Sequence, residues 1–139
     1  MKFMNSIKKR IISLFFKLPR KIKFQVLSTC HNISGKAKMV QPCQVNGYGS
    51  IVFGKNVVIG YEQSPFLYSG YGYIEARHQK AKIVIGDNVV INNNIVLISE
   101  REGIFIGKNV LIGTQCEIYD SDFHALNSKS RRDGEAVSA

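Results

Sequence analysis

Apolar residues recur every six positions along most of this chain. Ile-Val-Phe-Gly-Lys-Asn at 51–56 runs into Val-Val-Ile-Gly at 57–60. Ile-Val-Ile-Gly-Asp-Asn at 83–88 runs into Val-Val-Ile-Asn-Asn-Asn at 89–94, and Ile-Phe-Ile-Gly-Lys-Asn at 104–109 runs into Val-Leu-Ile-Gly at 110–113. One column of apolar positions can be followed through Ile33, Met39, Val45, Phe53, Ile59, Ile85, Ile91, Leu97, Ile106, Ile112 and Ile118. Six residues are too few for a strand and a hairpin turn, but enough for a short strand and a corner. Three such units close one triangular turn, and stacked turns pair strand on strand at about 4.8 Å. The column residue then points inward, and the Gly or Asn after it suits a positive φ. A second apolar residue near each corner (Val57, Val89, Ile95, Val110, Cys116) fills the remaining space. The pattern predicts an all-β solenoid, in which each turn buries itself against its neighbours.

The jumps from Val45 to Phe53 and from Leu97 to Ile106 read as small corner insertions. Residues 61–82 hold the register poorly: Leu67 and Tyr73 fall in phase, but Gln79 would point a polar group inward. This stretch is read as part coil and part excursion. At about 20 residues per coil, residues 33–123 hold about four and a half coils.

The first residues differ in kind. In FMNSIKKRIISLFFKLPRKIKF (3–24), Ile7, Ile11, Leu14, Phe15 and Leu18 fall at helical spacing beside Lys8, Lys9, Arg10, Lys17, Arg20, Lys21 and Lys23. Pro19 is expected to end the helix. The chain thus divides into a basic amphipathic segment, 1–30, and a repeat domain, 31–139. An apolar stripe beside a Lys/Arg face suits peripheral contact of residues 1–24 with an anionic membrane. It equally suits packing on the body of the protein or on a neighbouring subunit.

Charge sharpens this division. Residues 1–23 hold eight of the 19 basic residues and no acidic one, so the remainder is nearly neutral. That excludes a generally basic surface, and with no docking motif nucleic acid is not an expected partner. No run of about 18 apolar residues exists, so no conventional transmembrane helix is predicted. Cys30, Cys43 and Cys116 show no CxxC spacing and are read as free thiols, with neither a disulfide framework nor a zinc site.

The tandem blocks resemble the left-handed parallel β-helix acyltransferases of the hexapeptide-repeat superfamily. Residues 85–127 are especially similar to its sugar and polysaccharide O-acetyltransferase branch. The resemblance implies a left-handed coil, a homotrimer, acetyl-CoA as acyl donor, no metal, and a saccharide acceptor such as a surface polysaccharide or its precursor. It places the chain in the cytoplasm, with the inner face of the membrane as a further option. His124, in Asp-Ser-Asp-Phe-His, matches the family's general base, a role that suits an imidazole. Asp120 or Asp122 is expected to orient it. For the acceptor, the resemblance points to Asn92, to Asn94 (or Asn93) and to Glu100. Arg131 and Arg132 are candidates for a CoA phosphate. The repeat arithmetic adds that Glu100, three residues after Leu97, and His124, six after Ile118, fall near one corner.

The family continues beyond this block with further coils that complete the CoA site, so the repeat domain is expected to be incomplete at its C-terminal end. That gives a competing expectation: a non-catalytic, truncated β-helix with only a structural or assembly role. A metal-dependent β-helix carbonic anhydrase would need three facing His ligands, and His31 and His78 do not lie in matching repeats.

Overall fold

The computed structural model describes residues 7–8, 10–126, 128–129 and 131. Its body is built from twelve short strands in three parallel sheets of four. The first sheet holds β1 (Ile33–Ser34), β4 (Ser50–Phe53), β7 (Lys82–Ile85) and β10 (Ile104–Ile106). The second holds β2 (Ala37–Met39), β5 (Val57–Ile59), β8 (Val90–Ile91) and β11 (Leu111–Ile112). The third holds β3 (Cys43–Gly47), β6 (Gly72–Ala76), β9 (Val96–Ser99) and β12 (Glu117–Tyr119). The chain visits the sheets in strict rotation, an arrangement compatible with a parallel β-helix.

Side chains alternate across each strand, and the inward set forms one continuous core. Ile51, Ile59, Ile74, Ile83, Ile85, Ile91, Ile95 and Leu97 are completely buried. Register follows the apolar column for most of its length: Met39, Ile59, Ile91 and Ile112 are stacked partners in the second sheet. Phe53, Ile85 and Ile106 stack in the first. Two positions differ from expectation. Ile33 pairs with Ile51, two residues before Phe53. In the third sheet Ile74, not Tyr73, stacks between Val45 and Leu97. Residues 61–71 form the excursion and carry no strand, so the six-residue count does not survive across them.

Positive φ also sits elsewhere than expected. Of the residues directly after the column, Gly60 has φ 95°, but Gly54, Gly86 and Gly107 do not adopt it. The left-handed residue is the third after the column: Asn56 (57°), Asn88 (57°), Asn94 (59°), Asn109 (59°) and Gln115 (56°). Asn tolerates this region better than most residues. Three of these also form a ladder, with Asn56 Nδ2 donating to Asn88 Oδ1 at 3.0 Å and Asn88 Nδ2 to Asn109 Oδ1 at 3.1 Å. Glycine directly after the column answers a different demand. A Cβ on Gly86 would lie 2.8 Å from the carbonyl carbon of Gly107 in the next coil.

Pro19 does not end the helix. A π-helical turn, Ser13–Lys17, leads directly into α1, Leu18–Val26. Leu18 N–H bonds to Ser13 C=O, an i→i−5 bond of the π turn, and the proline falls in the first turn of α1. One side of this helix packs on the body. Phe24 is buried and stacks on Tyr71 with ring centroids 4.3 Å apart. Arg20 donates to the carbonyls of Leu67 and Gly70 in the excursion. Lys17 pairs with Glu62 at 2.7 Å. Among the described residues, no helix is long and apolar enough to cross a membrane.

Candidate functional site

The residues singled out for chemistry gather at two corners. At the corner between the third and first sheets, β9 ends at Ser99 and the chain crosses to β10 through residues 100–103. One coil on, β12 ends at Tyr119 and residues 120–124 follow. Asp120 ties the two passes together. Its carboxylate accepts from Ser99 Oγ at 2.8 Å, from Glu100 N–H at 2.5 Å and from Gly103 N–H at 2.7 Å. Burial alone would raise the Asp120 pKa. The hydrogen bonds from Glu100, Gly103, Ser99 and Arg101 outweigh it, so the carboxyl is held below its ordinary value.

Glu100 is buried, and its carboxylate meets two side chains. Arg77 Nη1 lies 2.8 Å from Glu100 Oε2, and His78 Nε2 lies 2.9 Å from Oε1. Arg77 also reaches Glu75 at 3.0 Å. Burial works against the Arg77 charge, but hydrogen bonds to Glu75 and the charges of both glutamates prevail, and its pKa is raised. The Arg77 guanidinium lies 4.9 Å from the Phe123 ring centroid, a cation–π contact. Phe123 is itself left-handed (φ 58°) and meets Tyr119 edge-to-face at 5.3 Å.

His124 therefore follows a turn fixed on both sides, by the Asp120 clamp and the Phe123 wedge, and stands exposed at its end. Glu100 meets the 120–124 segment through Asp120 and, by way of Arg77, through Phe123; no contact joins it to His124 among the described residues. Asp120 spends its hydrogen bonds on residues 99–103, and Asp122 is exposed. Arg131 is exposed, and Arg132 lies outside the described residues.

Asn92 and Asn94 lie one corner away, between β8 and β9. Their side chains serve the excursion and the adjoining coil. Asn92 Nδ2 donates to Ser64 Oγ at 2.9 Å. Asn94 accepts from Gln41 Nε2 at 3.0 Å, and its N–H donates to Gln41 Oε1 at 2.7 Å. Between them, fully buried Asn93 donates to the carbonyls of Tyr61, Ser64 and Pro65 and accepts from Tyr61 N–H. An open cleft of about 390 Å³ adjoins Asn94, lined also by Tyr71, Tyr73, Gln115 and Glu117.

Sequence reasoning missed three of these residues. Gln41 is a fully buried amide with no motif around it. Arg77 and His78 were hidden by the mistaken phase of Tyr73. With Ile74 aligned on Leu97, Arg77 falls three residues past the column, as Glu100 does, which puts them in one corner. Cys30 and Cys43 are buried, and burial pushes the Cys43 thiol up to about 12, so neither is an available nucleophile; Cys116 is half-buried.

Asp120→Asn is expected to destabilise the chain by about 2 kcal/mol at neutral pH, because its amide N–H₂ would face donors that now meet a carboxylate. Since the native carboxyl is depressed, its contribution is present above the unfolded-state value near 4 and is lost as pH falls through the folded value. The gap between the two chains in denaturant midpoint should accordingly narrow in acid. A gap unchanged down to low pH would refute the clamp.

Compared with known proteins, the chain matches no family model, no curated protein and no solved structure.

Proposed function

We propose that this chain is a left-handed parallel β-helix acyltransferase of the hexapeptide-repeat type. It transfers an acetyl group from acetyl-CoA to a saccharide hydroxyl, as a homotrimer, with His124 as general base. The observation that carries this reading is the placement of His124: an exposed imidazole directly after Phe123, whose ring meets Arg77, in a turn that Asp120 ties to the preceding coil. Support for the fold comes from the strict rotation of parallel strands through three sheets.

In the proposed reaction a ring nitrogen of His124 removes the acceptor O–H proton as that oxygen attacks the thioester carbonyl. The C–O bond forms, the C–S bond breaks, and the imidazolium returns the proton to the departing thiolate. A sugar hydroxyl is a poor nucleophile without such a base. Glu100, held by Arg77, supplies an acidic group beside the acceptor.

The test is release of free thiol from acetyl-CoA by the purified chain across a panel of neutral, acidic and amino sugars. Acetylated product is identified by mass spectrometry. Acceptor-dependent release supports the reading. Thiol release at the rate of spontaneous hydrolysis with every acceptor would sink it. That outcome would favour the non-catalytic alternative, which the commitment of Asn92, Asn93 and Asn94 to internal hydrogen bonds also favours.

A further inference from the structure

We propose that the N-terminal helix docks on an anionic lipid surface through the face it turns away from the body. Leu18, Ile22 and Val26 are spaced four apart in α1 and so share one face. All three are exposed, at 46%, 51% and 77%. Arg20 and Phe24, which hold the helix to the excursion, lie on the opposite side by the same spacing. The stripe continues toward the N-terminus through exposed Leu14 and Phe15. Soluble proteins rarely leave so continuous an apolar stripe facing water without a partner.

Charge selects the partner. Lys21 and Lys23 stand on either side of the stripe, and both are exposed. Lys8 and Arg10 are exposed farther along the same segment. No acidic residue precedes Glu62 in the chain. A neutral apolar partner would have no use for this imbalance. An anionic bilayer takes the apolar residues below the headgroups, while the lysine stems extend along the interface and keep their ammonium groups among the lipid phosphates. Among the described residues no helix is long and apolar enough to cross a membrane, so the proposed contact is peripheral.

The full chain would be sedimented with vesicles of phosphatidylcholine alone and of phosphatidylcholine with a third replaced by phosphatidylglycerol. Binding to the anionic vesicles is expected to be at least roughly tenfold stronger and to weaken in raised salt. The double variant Ile22→Gln/Val26→Gln should lose roughly tenfold or more in that binding. So should Lys21→Glu/Lys23→Glu. Both should keep the denaturant midpoint of the body, since all four side chains are exposed. Equal binding to both vesicle types, or none to either, would overturn the proposal. So would an apolar double variant that still binds vesicles but breaks up an oligomer, because the face would then belong to a second copy of the chain.

Discussion

Under the proposed acetyl transfer, a His124→Ala chain is expected to react about 10²- to 10⁴-fold more slowly than the native chain, the usual contribution of a positioned general base. The side chain is exposed, so its removal should change stability by no more than about 0.5 kcal/mol. Oligomeric mass should be unchanged. The effect should appear in kcat, because a base acts on the proton in flight and contributes little to ground-state binding. Phe123→Ala sharpens the comparison. It leaves the imidazole in place but removes the ring between Arg77 and Tyr119. If His124 works because its turn is fixed, that variant loses rate as well, by less than the histidine variant. Native rates in the His124→Ala chain would remove the base from the mechanism.

The largest loss of stability is expected at Asn93. Its amide makes contacts of 2.8 to 3.2 Å to three carbonyls and accepts one N–H, all from the excursion. Asn93→Ala removes these bonds and opens a polar void, at a cost of about 3 kcal/mol. Asn93→Asp should be worse at neutral pH, although it is nearly the same size. Its carboxylate would face three carbonyl oxygens at a fully buried position, so its folded pKa would be raised. The sign then runs opposite to that at Asp120. The deficit is full above the raised folded pKa and shrinks as pH falls through it toward the unfolded value. Denaturant midpoints between neutral and acid pH would show it. Hydrogen exchange should locate the damage in residues 61–71. A deficit in the aspartate variant that does not change with pH would contradict this arrangement.

These two residues show where the sequence could be read and where it could not. The inward column was legible because burial in a coil is a local, periodic demand: Ile59, Ile91 and Ile112 are spaced by the fold itself. Periodicity gave out at the excursion, where eleven irregular residues shift the phase and Tyr73 took the place of Ile74. The Asn92–Asn94 run was legible as corner chemistry, since Asn accepts positive φ, and Asn94 uses it. What Asn93 binds was not legible, because Tyr61 and Pro65 lie about thirty residues back and carry no periodic signal. Asp120 failed for a similar reason. Its nearness in sequence to His124 suggested an orienting role, whereas its partners are one coil behind. Pro19 was read by a rule for uniform α-helices, and the preceding π turn removes the conflict that the rule assumes.

The excursion has a consequence for how freely such a chain can be elaborated. Stacked partners Ile91 and Ile112 are 21 residues apart, while Ile59 and Ile91, with residues 61–71 between them, are 32 apart. Closure entropy grows only with the logarithm of length, so the longer connection costs about 0.4 kcal/mol more than the shorter. One well-placed amide repays that several times over. Connections between the three sheets are therefore nearly free ground for added sequence, provided that a side chain like Asn93 stands further along the chain to receive it.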